Sequence, residues 1–322
     1  MTLKAAIQSM RLRTLPLSLS GVVLGALLAI GTFPQITVSS RLWTLVFLVL
    51  TTLSLQILSN LSNELGDVLR GTDTSERQGP QYGLNSGAMT VRNMKVLIGV
   101  FIALCLVFGT LMIRFSFGTL LSLNAVLMFL LGCFAVKAAM SYTLGPNPYG
   151  YRAMGDVYVF LFFGLVAVYG AYFIVSGDAT NFAILLPGAA IGCFSVGVLN
   201  VNNIRDMKTD AENRLTVAIK MGPRKARIYQ SVLIVAGWAL LAAFFAWDYG
   251  YLARHGVETT LGWRQLIWVV TLPLYTLHLR GVWSRDGRAL DPMLPLLVLS
   301  TFLLSCLAGW SYLEMTPYST FL

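Results

Sequence analysis

The chain has 322 residues, 56% of them apolar and only 11% charged, with a mean hydropathy of +0.71. Such a composition excludes an ordinary soluble domain and places the protein in a lipid bilayer. Its formal charge of +9 does not point to nucleic acid, because cations retained beside membrane helices and drawn to anionic headgroups account for it.

In chain order, apolar runs of about 20 residues, the length a helix needs to cross the hydrocarbon core, recur at 15–31, 42–62, 94–113, 117–136, 156–176, 181–203, 227–246, 264–281 and 293–313. The expected fold is an all-α polytopic membrane protein with nine transmembrane helices. Lys4, Arg11 and Arg13 precede the first run, which lacks a small-residue cleavage pattern and so reads as a retained helix. Lys and Arg beside membrane segments are held on the cytoplasmic side. With the N-terminus inside, the cations of the second, fourth, sixth and eighth connections join those of the N-terminus, and only Arg41, Arg114, Arg254 and Arg264 of the 23 fall opposite. This predicts a cytoplasmic N-terminus and a C-terminus on the other side. Cys105, Cys133, Cys193 and Cys306 stand alone in apolar runs without CxxC spacing, as packing thiols do.

Two polar strings interrupt this pattern. Asn63-Glu-Leu-Gly-Asp67, with Asp73 behind it, heads the connection 63–93; Asn202-Asn203-Ile-Arg205-Asp206, with Asp210 behind it, heads the connection 204–226. Both connections lie on the cytoplasmic side of the predicted topology. Each string spaces Asn and Asp identically, 63 to 67 and 202 to 206, which suggests four-helix halves of about 1–140 and 141–290 plus a ninth helix within one domain, 1–322. Helical spacing aligns Gln56, Asn60, Asn63 and Asp67 in one column and Asn203, Asp206 and Asp210 in another.

Asp67, Asp73, Asp206 and Asp210 facing one cavity would repel one another or take up protons unless neutralised. Carboxylate and Asn amide oxygens without nearby His or Cys suit Mg²⁺. Mg²⁺ held by few carboxylates completes its shell with water and phosphate oxygens, and Arg70, Arg77, Arg205, Lys208 and Arg214 stand close enough in sequence to receive an anion. Together these features describe a diphosphate site. A single Asp or Asn in a loop is more often solvated surface; the repeated spacing argues against that here. A secondary transporter, with ion ligands near the midplane, fits less well because these acids sit at helix ends on one side.

At these residues the chain resembles the UbiA superfamily of intramembrane prenyltransferases. Arg11-Leu-Arg13-Thr14-Leu-Pro16 resembles the family's N-terminal segment, Asn202 to Asn213 its second Asp motif, and Thr216 to Gly222 the stretch that follows. Asn60 to Asp73, Tyr142 to Gly145 with Pro148 to Asp156, and Leu290-Asp291-Pro292 resemble the branch that acts on 1,4-dihydroxy-2-naphthoate in menaquinone biosynthesis. Glu64 departs from the usual Asp and is a lesser candidate ligand. The resemblance implies nine helices surrounding a central cavity in the cytoplasmic (inner) membrane, with the site facing the cytoplasm. It also implies two Mg²⁺ ions, held by Asp67, Asp73, Asp206 and Asp210 with Asn63 and Asn203. The implied reaction transfers a polyprenyl chain from its diphosphate to dihydroxynaphthoate, with loss of carboxylate, giving demethylmenaquinone and diphosphate. Other acceptors of the superfamily, such as 4-hydroxybenzoate or homogentisate, are the alternative.

Substrate contacts are expected from Asn60, Asn63, Arg70, Arg77, Asn202, Asn203, Arg205 and Lys208. In the fourth-to-fifth connection, Tyr142, Tyr149 and Tyr151 offer aromatic faces to an allylic cation, or anchor the chain at the interface. Tyr149 is the catalytic candidate among them. Lys137 and Arg152 either hold a substrate anion or mark topology. Asp156 opens the fifth helix, where a carboxylate also favours the helix N-terminus. Phe160, Phe162, Phe163, Tyr169 and Tyr172 fit helix packing better than a prenyl tunnel, and His255 and His278 do not suggest a base. The stretch 76–92, with Gly83 and Gly87, is long enough to form a lid.

Overall fold

A computed structural model describes residues 2–33, 35–71, 82–211, 214–254 and 262–315. Among these, nine helical segments are long and apolar enough to cross a membrane, and no strand forms beyond a bridge between Arg152 and Leu215. A short helix α1 (Leu3–Ser9) leads into α2 (Leu15–Thr32), with Pro16 in the first turn of α2, where its missing N–H is tolerated. Then come α3 (Leu42–Leu69), α4 (Val91–Phe117) and α5 (Leu123–Ser141). The fifth span runs through α6 (Gly155–Val159), a π-helical stretch Phe160–Val166 and α7 (Ala167–Ser176). α8 (Leu185–Arg205) and the single turn α9 (Met207–Asp210) precede α10 (Val217–Arg254), which is broken at Gly222, whose φ of 77° a side chain would strain. α11 (Trp263–Leu266) and α12 (Leu272–Ser284) make the eighth span, and α13 (Met293–Met315) belongs to the ninth.

The main core joins α2, α7, α8, α10 and α13 through Leu24, Leu28, Tyr172, Phe194, Phe244 and Leu304, all essentially inaccessible. Gly164 in the π-helical stretch lets the fifth span touch α8: a Cβ there would lie 2.6 Å from Gly188 O and from Gly192 Cα. A second core, built on Leu58, Leu61, Leu65 and Met94, joins α3 to α4 and receives Ala5 and Ala6 of α1. α4 and α5 are the least buried spans, and Val96, Val107, Leu130 and Phe134 face outward from them, as lipid-facing positions do.

A polar pin crosses the core where backbone groups alone would not fix register. Asn200 Nδ2 donates to Gln230 Oε1 (2.9 Å) and to Ala226 O (3.0 Å), Gln230 Nε2 meets His278 Nε2 (3.0 Å), and His278 Nδ1 meets Met293 O (3.0 Å). His278 thus ties α10 and α13 to its own helix; His255 lies outside the described residues.

Between the α2–α3 side and the α5–α8 side lies a cavity of about 420 Å³. Asn63, Asp67, Tyr142 and Arg214 line one end, and Leu48, Met112 and Ile174 line the other. From Asp67 to Leu48 along α3 is about 28 Å at the helical rise, close to the thickness of the hydrocarbon core.

Candidate active site

The first polar string is helical, not loop: α3 continues to Leu69, past the expected end at 62. Gln56, Asn60, Asn63 and Asp67 all line the cavity, so the predicted column is present. The Asn60 amide is committed to the N-terminal segment, donating to Met10 O (2.9 Å) and Thr14 Oγ1 (3.0 Å) while its oxygen accepts from Gln56. Asp67, 5% exposed, accepts from the Tyr151 hydroxyl at 2.7 Å. Glu64 turns the other way: its carboxylate is buried and accepts from Leu84 N at 2.6 Å, anchoring the turn after the undescribed stretch. Asp73 and Arg77 lie outside the described residues. So does part of the expected lid; its later portion docks on α1 through Gly83 N, which donates to Ser9 Oγ (3.2 Å), and brings Tyr82 into the cavity wall.

The 142–152 segment seats directly on α3 because Gly66 has no side chain; a Cβ there would meet the side chain of Thr143. Arg70 does not line the cavity. Its guanidinium donates to Thr143 O and Gly145 O and lies over the Tyr151 ring. Tyr149 donates to Ala138 O (2.8 Å), stacks on Tyr158 with centroids 3.9 Å apart, and meets the edge of Tyr142 at 5.2 Å. Arg214 joins this group to the far side, donating to Tyr142 Oη (3.0 Å) and Gly150 O (3.2 Å) and lying over the Tyr142 and Tyr151 rings.

Electrostatics follow from that enclosure. Burial pushes the Tyr142 phenol up, Arg214 opposes the shift, and Asp67, Asp156 and Asp210 add to it. Burial likewise raises Tyr149, with Tyr142 and Tyr158 contributing. Both phenols stay protonated through the neutral and mildly alkaline range. Burial disfavours the charged form of Arg214, but Tyr142, Asp67, Asp210 and Tyr151 outweigh it and hold the guanidinium above its ordinary range. A protonated Arg214 therefore stands between the two Asp strings.

The second string departs from expectation. α8 ends at Arg205, and Asp206 (φ −93°, ψ 5°) breaks the helix before α9, so no continuous column runs from Asn203 through Asp206 to Asp210. Asn202 and Arg205 line the cavity; Asn203 is buried and does not. Arg205 grips Asp206 through Nε (2.9 Å) and Nη2 (2.6 Å), donates to Asn202 Oδ1 (2.7 Å), and pairs with Asp291 through Nη1 (2.6 Å). Lys208 and Arg152 are exposed and do not line the cavity. Neither does Asp156, which accepts from the Tyr229 hydroxyl at 3.1 Å and so serves the α6–α10 contact.

Of the carboxylates expected to converge, Asp67 lines the cavity and Asp206 and Asp210 do not, and among the described residues no group of three or more His, Cys, Asp or Glu side chains is placed to hold a metal ion. Asp206 is engaged by Arg205, and Asp73 lies beyond description. The donor chemistry nevertheless fits a hard cation, since oxygens of Asn63, Asp67 and Asn202 line the mouth and no His or Cys does among the described residues. Arg13, Tyr82 and Tyr158 also line the cavity, and sequence reasoning had given them no part in the site. The Arg-Leu-Arg-Thr-Leu-Pro resemblance was the signal for Arg13; nothing local marks the other two.

Comparison with known proteins places this geometry in context. The sequence matches the UbiA prenyltransferase family over residues 18–289. It is 32% identical to a 1,4-dihydroxy-2-naphthoate octaprenyltransferase of Haemophilus influenzae, over 93% of this chain and 92% of that protein. The identity to the protein of the same description from Escherichia coli is also 32%, over 90% of this chain and 89% of that one. Among solved structures, a UbiA homolog from Archaeoglobus fulgidus bound to DMAPP and Mg²⁺ has a TM-score of 0.60 at 15% identity, covering 94% of this chain and 99% of that one.

Proposed function

The chain belongs to the UbiA prenyltransferase family, and from that premise we propose that it transfers a polyprenyl group from its diphosphate to 1,4-dihydroxy-2-naphthoate. The carboxylate leaves as CO₂, giving diphosphate and the reduced form of demethylmenaquinone. The observation that carries the reading is one cavity with a charged, aromatic mouth at Asp67, Tyr142, Arg205 and Arg214 and an apolar body that follows α3 for about 28 Å. A diphosphate with a long isoprenoid tail has that division of polarity.

In this reading Arg214, with Arg205 and Arg13 lining the same cavity, receives the diphosphate and stabilises the charge that grows on it as the C–O bond breaks. Asn63, Asp67 and Asn202, whose oxygens line the mouth, are the proposed holders of Mg²⁺, which when bound would supply further neutralisation of the leaving group. Tyr151 fixes the Asp67 carboxylate through its 2.7 Å hydrogen bond. The rings of Tyr142, Tyr149 and Tyr158 form a wall whose negative faces attract an allylic cation and exclude water from it. The electron-rich naphthoate ring then attacks. The bias of Lys and Arg among the connections supports a mouth that faces the cytoplasm.

The test offers purified protein in liposomes a radiolabelled polyprenyl diphosphate with dihydroxynaphthoate, 4-hydroxybenzoate or homogentisate in turn. Labelled lipid should appear with the first alone and vanish in EDTA. Product with a different acceptor would reassign the substrate, and full turnover in EDTA would remove Mg²⁺ from the reading.

A further inference from the structure

Two guanidiniums that line the cavity mouth converge on a carboxylate that does not line it. Arg205 Nη1 lies 2.6 Å from Asp291 Oδ1, and Arg13 Nη1 lies 3.7 Å from Asp291 Oδ2. The two arginines are far apart in the chain, one just before α2 and one at the end of α8. Left alone, like charges converging on one mouth repel. Asp291 is positioned to hold them together.

Its own placement is rigid. Asp291 follows the 3₁₀ turn Gly287–Leu290 and donates from its backbone N to Arg288 O (3.1 Å). Leu290 is fully buried in one cluster with Val201 and Ile204 of α8, so the turn is fixed on the helix that carries Arg205. The two arginines differ in what else restrains them. Arg205 is 3% exposed and keeps its contacts to Asp206 and Asn202 whatever happens at Asp291. Arg13 is half-exposed, and its other side-chain tie is one hydrogen bond from Nη2 to the Tyr82 hydroxyl at 3.1 Å. Asp291 therefore governs chiefly where Arg13 points.

We propose that Asp291 is a positioning residue for the prenyl diphosphate headgroup, holding Arg13 beside Arg205 so that both guanidiniums face the anion. The inference rests on the diphosphate reading of the mouth. Asp291 does not touch the substrate; it acts through Arg13.

The test measures steady-state turnover together with binding of inorganic diphosphate in the presence of Mg²⁺ by isothermal titration. Asp291→Asn should raise the KM for prenyl diphosphate and the Kd for inorganic diphosphate by about two- to fivefold each, the loss of one oriented charge contact. The acceptor KM should stay unchanged, and Asp291→Glu should restore diphosphate affinity. Arg13→Gln should match Asp291→Asn, and the double variant should be no weaker than either single one. A purely structural Asp291 would instead leave diphosphate binding intact in folded protein, or give multiplying losses in the double variant; either result overturns the proposal. If Asp291→Asn cannot be isolated folded, Arg13→Gln decides alone, with unchanged diphosphate binding the overturning outcome. Failure of the wild-type protein to bind diphosphate at all would instead remove the underlying reading of the mouth.

Discussion

Asp67 is the residue on which the first polar string depends. It is buried, lines the cavity and accepts a short hydrogen bond from Tyr151. A hydrogen bond to a charged group contributes about 1.5–3 kcal/mol, so its loss in Tyr151→Phe should lower kcat/KM by about 10- to 100-fold. Asp67→Asn, which also removes the charge, should cost more than that. Asp156→Asn is the contrasting variant: its carboxylate faces Tyr229 and does not line the cavity, so the substrate KM values should hold while thermal stability falls. Equal kinetic loss in all three would mean that the cavity lining does not identify the residues that matter. Asp67 was legible from helical spacing alone. Spacing could not tell which of the adjacent Asn202 and Asn203 faces the cavity, and it was carried to Asp210 across Asp206, where the helix ends.

The helices gain their functional shape from irregularities. The π-helical stretch Phe160–Val166 brings both Phe162 and Phe163 to the cavity, although neighbours on a regular helix point about 100° apart. These rings were expected to pack, and they line the site instead; hydrophobicity could not distinguish the two, because the cavity wall is itself apolar. Gly164 makes the stretch possible by allowing backbone contact with α8 at Gly188 and Gly192. Gly164→Val should therefore force the fifth and sixth spans apart and cost about 1–3 kcal/mol or more, seen as a lower unfolding midpoint in detergent. Gly99 on α4 is the control, since a Cβ there meets nothing within 4 Å, and Gly99→Ala should leave the midpoint unchanged or raise it. Equal midpoints for Gly164→Val and the parent would show that α8 does not press on the π-helical stretch. The expected span fell short of Leu69 because the apolar run stops at 62, although the column spacing of Asn63 and Asp67 already required helix beyond it.

At the scale of the whole molecule, the nine spans found among the described residues were legible because each apolar run must satisfy its backbone internally to cross a membrane. The closure of the cavity mouth was not, since it depends on ties between distant residues, such as Arg13 to Tyr82 and Arg205 to Asp291, that no local periodicity encodes. The same cations bear on orientation. Charged groups of the mouth gather at one end of the bundle, with Arg13, Asp67, Arg205 and Arg214 around it. The opposite end carries Arg41, whose Nη1 donates to Ser116 O at 3.1 Å and ties the α2–α3 loop to the end of α4. If positive charge sets topology, exposed Ser40 and Ala211 lie on opposite sides of the membrane. In intact cells, a membrane-impermeant maleimide should label Ser40→Cys, whereas Ala211→Cys should react only after permeabilisation. The native cysteines are partly or fully buried, which keeps the background low. The reverse labelling pattern would turn the molecule over and put its polar mouth outside. Prenyl diphosphate and naphthoate would then have to be supplied from the non-cytoplasmic side, so the labelling result also bears on where the proposed reaction draws its substrates.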